Sequence, residues 1–239
     1  MGGTHASATS PGEAGNQVRR RGALVVGLVV VGVAVAGGLA VLGRHEGIEL
    51  GDLSRDPAAV AELPVYVGAL AYLAFIGWAV GFGAAVTGVL VARRLARRRR
   101  ALMLGFAAAI SLWLLLDDMF EFHESVGPRL GIPEKITYLS YVVALAAWLW
   151  FFRKEIRDSD WLVLVAGLAF FGVSAGLDEL NIGSSGTEAY VEDILKMLGT
   201  WLWGAYFVVT AVHDLPAGAA LDDEIVVDLH RDDDVTAAS

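Results

Sequence analysis

Residues 23–43 read ALVVGLVVVGVAVAGGLAVLG, 21 residues of Ala, Val, Leu and Gly with no charge among them. A helix rises about 1.5 Å per residue, so this stretch spans a hydrocarbon core of roughly 30 Å. Five more apolar stretches follow: Pro64 to Ala92, Ala101 to Leu116, Ile136 to Phe152, Trp161 to Leu177, and Ile194 to Val212. A backbone in lipid must satisfy its own hydrogen bonds, and the alternation of barrel strands is missing, so all six are expected to be helices.

Composition agrees. Of 239 residues, 56% are hydrophobic and 19% charged, with a mean hydropathy of +0.56. That balance excludes an ordinary soluble domain, and it excludes a disordered chain, which is poor in apolar residues. Cysteine is absent, which removes disulfides, thiolate metal sites and a cysteine nucleophile. Chemistry must come from carboxylates, histidines or hydroxyls.

Orientation follows from Lys and Arg, which are retained on the cytoplasmic side in short loops. Arg19, Arg20 and Arg21 precede the first stretch, Arg93, Arg94 and Arg97 to Arg100 separate the second and third, and Arg153, Lys154 and Arg157 separate the fourth and fifth. The alternate connections hold only Arg44, Arg55, Arg129 and Lys135. The expected fold class is therefore an all-α membrane protein, a six-transmembrane-helix bundle of the cell membrane with both termini cytoplasmic. Residues 1–22 are expected to form a disordered cytoplasmic tail, 23–213 the transmembrane domain, and 214–239 an acidic disordered tail with Asp232, Asp233 and Asp234. The expected partners are the bilayer itself and anionic lipids at Arg97, Arg98, Arg99 and Arg100. Both flanks of that arginine run enter the membrane within a few residues, so nucleic acid is not an expected partner.

Small residues four apart, Gly77 with Gly81 and Gly172 with Gly176, are expected to let helices approach closely. Trp148, Trp150 and Trp161 flank the fourth and fifth stretches, where amphipathic rings favour the membrane interface.

The informative segment is Leu114 to Glu124, LLLDDMFEFHE. Asp117 lies 16 residues into its apolar stretch, a rise of about 24 Å, which places it below the outer headgroups. Asp117, Glu121 and Glu124 fall within about 60° of one another on an ideal helix. His123 points away from them unless the helix ends or unwinds first. Two more ends on the same side carry Asp178 and Glu179, and Glu192 and Asp193, with Lys196 four residues after Glu192 at ion-pair spacing. Intramembrane carboxylates are costly, roughly 3 kcal/mol each on insertion scales, and mark functional sites by default. Something positive, or protonation, has to compensate them.

A carboxylate-rich, thiol-free cluster favours a hard divalent metal ion as cofactor. The expected metal ligands are Asp117, Asp118, Glu121, Asp178 and Glu192, with His123 or Lys196 as the catalytic proton carrier. HExxH, Glu-x-x-His, nucleotide loops and nucleophile elbows are all missing. Three functions fit: a metal-dependent membrane enzyme acting on a lipid or envelope substrate, a small cation or proton-coupled transporter, and a non-catalytic membrane component held by a structural polar network.

Overall fold

The computed structural model describes residues 11–179 and 186–237, and among them the chain is helical with no strand. It divides into two compact units, residues 1–67 and 68–239. In the first unit, α1 (Pro11–His45) contains the apolar span Val25–His45. A 3-10 turn (Asp52–Ser54) follows, set against α1 where a Cβ on Gly43 would stand 2.7 Å from Leu53. Helix α2 (Pro57–Val60) starts on the Asp56 side chain, which accepts from the N–H groups of Ala58 at 2.8 Å and Ala59 at 3.2 Å. That arrangement satisfies two of the orphan donors at a helix start.

The second unit contains α3 (Ala69–Arg94), α4 (Arg98–Phe120), α5 (Gly127–Arg129), α6 (Glu134–Phe151), α7 (Arg153–Arg157), α8 (Trp161–Glu179) and α9 (Gly186–Ala237). Among the described residues, four helices are long and apolar enough to cross a membrane: those carrying Val25–His45, Ala69–Arg94, Arg98–Phe120 and Ala189–His213. The apolar run Trp161–Leu177 of α8 is shorter. The second apolar stretch does not become helical at Pro64 as the sequence suggests. It starts at Ala69, after Gly68 in the left-handed region (φ 78°), with a turn closed by the Val67 N–H on the Pro64 carbonyl.

Helix α9 packs between α3 and α8, α3 also packs on α4, and α6 lies beside α4. The α3–α9 crossing is the closest. A Cβ on Gly77 would stand 2.8 Å from the backbone carbon of Thr200, and one on Gly204 would stand 2.9 Å from the Gly77 carbonyl oxygen. Gly81 meets the Trp203 ring in the same way. Such approach is how membrane helices gain contact without a hydrophobic driving force between them. The expected pair Gly172 and Gly176 does not do this, for among the described residues a Cβ added at either meets nothing within 4 Å. Helix α8 instead approaches α9 through Gly167, whose added Cβ would meet Leu202 and the Trp203 nitrogen at 3.2 Å. The physical reason is register: Gly167 sits at the crossing and the pair five and nine residues later has passed it.

Trp78, Trp148, Trp203 and Phe207 fill the middle of the unit with Met103, Leu104 and Leu164. Trp78 stacks on Phe171 with centroids 5.2 Å apart, and Trp203 sits against both Trp78 and Trp148. Their indole nitrogens are satisfied across helices, Trp203 donating to the Ser111 hydroxyl at 2.8 Å and Trp148 to the Met103 carbonyl at 2.9 Å. Trp148 is thus a buried core residue and not the interfacial anchor its position suggests, whereas Trp150 and Trp161 are exposed.

Candidate functional site

The carboxylates of α4 lie at one end of the bundle, opposite the arginine-rich end where α4 begins. Asp117 and Asp118 are adjacent in sequence and therefore about 100° apart around the helix. The structure gives them different partners on different sides.

Asp118 faces α3 and α9. Its Oδ1 is 2.8 Å from Lys196 Nζ on α9, and its Oδ2 accepts the Trp78 indole N–H of α3 at 2.7 Å. One carboxylate therefore ties three helices. Its side chain is only 9% exposed and that of Lys196 37%, so the ammonium keeps one side toward an opening. That opening is a cavity of about 60 Å³ lined by Leu70, Ala71, Phe75, Asp118, Asp193 and Lys196. The sequence spacing suggests that Lys196 pairs with Glu192 on its own helix, but the observed ion pair reaches across to Asp118.

Asp117 faces the segment that follows it. Helix α4 stops at Phe120 because Glu121 turns into the left-handed region (φ 47°, ψ 45°), with its N–H on the Asp117 carbonyl. A single wide π turn, Phe122–Val126, then folds back, and Gly127 lets it close, since a Cβ there would stand 2.9 Å from the Phe122 carbonyl oxygen. This reversal returns His123 to Asp117: ring Nδ1 is 2.6 Å from Oδ2, and the His123 backbone N–H donates to Oδ1 at 3.0 Å. Both side chains are buried, at 7% and 5% exposure, and the other ring nitrogen, Nε2, is 3.2 Å from the exposed Glu124 carboxylate. From α6, the Tyr138 ring sits tilted against the imidazole with centroids 5.0 Å apart, and Tyr141 places its hydroxyl near Asp117.

His123 lies in the turn beyond the apolar span. The hydrogen bond His123 makes to Asp117 raises its pKa above the ordinary 6.5 against burial, with further help from the Asp117 and Glu124 charges and a smaller opposing effect of Lys196. An imidazole held at Nδ1 by a buried carboxylate, with Nε2 against an exposed one, is built to take up and release a proton.

Of the remaining expected ligands, two are described in part. Glu121 is exposed and accepts from the Ser125 hydroxyl at 3.3 Å. Glu192 is on α9, where its backbone carbonyl accepts from Ser174 of α8 at 3.3 Å. The side chain of Asp178 lies outside the described residues. No group of three or more His, Asp or Glu among the described residues is placed to hold a metal ion. Among the described residues, Asp118 and Asp117 are instead engaged by Lys196 and His123. Trp78 was not legible as a partner, nor Tyr141 as a neighbour, since a Trp or Tyr in an apolar stretch carries no mark of the helix it will face. The helix-ending sequence GlyPro at 127–128 was the available hint that His123 would turn back.

A second opening, about 210 Å³ and almost wholly apolar, is lined by Trp113, Leu116, Asp117, Phe120 and Phe122.

Residues 23–210 match the family described as "Domain of unknown function (DUF8692)", which is most of the chain, and the protein belongs to that family. No curated protein and no solved structure matches it.

Proposed function

We propose that this family member is a six-span protein of the cell membrane, both termini cytoplasmic, that presents an acid–base dyad, Asp117 and His123, to the outer side. Orientation rests on the basic residues at the arginine end, and α6 and α8 supply the two spans beyond the four longest. Asp118, Lys196 and Trp78 are the structural half of the polar centre, a charge-neutral clamp on three helices. Asp117 and His123 are the working half: Asp117 orients the ring and stabilises its charged form, while Nε2 carries the proton.

The observation that carries this reading is the double hold of Asp117 on a buried His123 whose second nitrogen faces an exposed carboxylate. Reaction at the outer surface is favoured over transport because the layer of Trp78, Trp148, Trp203 and Phe207 fills the path toward the other end. Substrates reaching such a dyad are lipids or envelope components. Lys196, engaged by Asp118, serves as a fixed charge and not as the proton carrier. At the cytoplasmic end the arginines Arg97 to Arg100 anchor the chain on anionic lipid.

Lipid and envelope extracts compared among cells producing wild type, His123→Gln or no protein test the dyad. The gene-deficient pattern is expected to reappear in His123→Gln, with the variant present at wild-type abundance. A wild-type pattern in that variant removes His123 from the function.

A further inference from the structure

We infer that α7 and the turn between α3 and α4 form one composite site for the headgroup of an anionic phospholipid, organised by Arg99. This rests on the orientation proposed above and assigns the lipid contact to a different set of side chains than the arginine run alone.

Arg99 reaches across from the start of α4 to α7 while its side chain stays 64% exposed. Its guanidinium pairs with Glu155 of α7, donates to the Phe151 carbonyl at the end of α6, and lies 6.0 Å from the Phe152 ring. The Glu155 side chain is 15% exposed, so the pair is a strut between two segments with its guanidinium at the surface. The strut sets α7 beside the start of α4. Phe152 and Ile156 turn into the core, which leaves Arg153, Lys154 and Arg157 of α7 exposed, as are Arg97 and Arg98 at the start of α4. Trp150 and Phe151 are exposed at 67% and 63% at the adjoining helix end, and the Arg153 guanidinium lies 4.9 Å over the Trp150 ring.

Basic groups above exposed aromatic rings, at the rim of apolar helices, match a bilayer leaflet: rings in the interface, cations at phosphate level. The connection from Phe152 to Asp160 joins two apolar helices directly, so the plate is held at the membrane surface where a phospholipid phosphate reaches it.

The test presents full-length protein in detergent micelles with an equimolar mixture of phosphatidylglycerol and phosphatidylcholine and counts retained lipid by native mass spectrometry. Wild type is expected to prefer phosphatidylglycerol. Arg153→Gln/Lys154→Gln/Arg157→Gln, all exposed positions, should lower the preference on the order of tenfold, and so should Arg97→Gln/Arg98→Gln. Glu155→Gln is the discriminating variant. It adds net positive charge yet releases Arg99 from α7, so a composite site binds phosphatidylglycerol more weakly and a diffuse charge effect binds it more tightly. Tighter binding in Glu155→Gln overturns the proposal. An unchanged α7 triple variant beside a weakened Arg97/Arg98 variant also overturns it while leaving the arginine anchor standing. No loss in either variant removes both.

Discussion

Asp117 holds His123 twice, through ring Nδ1 at 2.6 Å and through the backbone N–H at 3.0 Å, although the two are six residues apart and an unbroken helix would separate them. The left-handed Glu121 and the π turn after it make the contact. Single π turns recur at functional sites because they re-aim a side chain at the cost of regular hydrogen bonding. Here the aim is back along the helix, onto a carboxylate that otherwise has little compensation.

A raised His123 pKa has a definite sign in stability. The dyad's contribution is fully present below the ordinary value of 6.5 and is lost as pH rises through the higher folded-state value. Thermal unfolding in detergent is expected to show wild type losing stability over that window, with Asp117→Asn flattening the dependence. NMR titration of the imidazole, assigned through His123→Gln, should find its midpoint above 6.5 in wild type and lower in Asp117→Asn. A midpoint unmoved by Asp117→Asn contradicts the assignment.

The clamp at Asp118 predicts strong non-additivity. Lys196→Met leaves a carboxylate with one indole donor in an apolar setting and should cost about 2 kcal/mol, below the range for fully buried pairs because the lysine keeps solvent contact. Asp118→Leu with Lys196→Met should cost less than the two single changes summed, since neither charge is stranded. Additive losses in a double-mutant cycle argue that the pair is not formed.

Two glycines that look alike in sequence should behave differently. Gly77→Ala drives a Cβ into the Thr200 backbone and should destabilise by about 1–3 kcal/mol. Gly172→Ala meets open space and should be neutral or stabilise by up to about 1 kcal/mol through helix propensity. Equal effects on melting temperature contradict the α3–α9 crossing described above.

Sidedness is open to labelling. Leu130→Cys, at a position 68% exposed beyond the π turn, should react with an impermeant maleimide on intact cells. Asp158→Cys, exposed beside α7, should react only after permeabilisation. The reverse pattern moves the dyad to the cytoplasm.

Helical class and the two chemically distinct ends of the bundle were settled by the sequence alone, because length and hydropathy decide what a backbone can do in lipid and charge runs mark its ends. Asp117 and Asp118 were legible as residues needing compensation for the same reason, the cost of a carboxylate at depth. Partner choice was not. Lys196 had equal claim on Glu192 by helical spacing, and only the packing of α9 against α3 and α4 brought its ammonium to Asp118. Gly172 and Gly176 carried the same small-residue signal as Gly77 and Gly81, yet the crossing used Gly167, since a periodic pattern names a face and not the point where a neighbour touches it. His123 shows the limit most clearly. A straight helix turns it away from Asp117, and one backbone residue at positive φ places the two 2.6 Å apart.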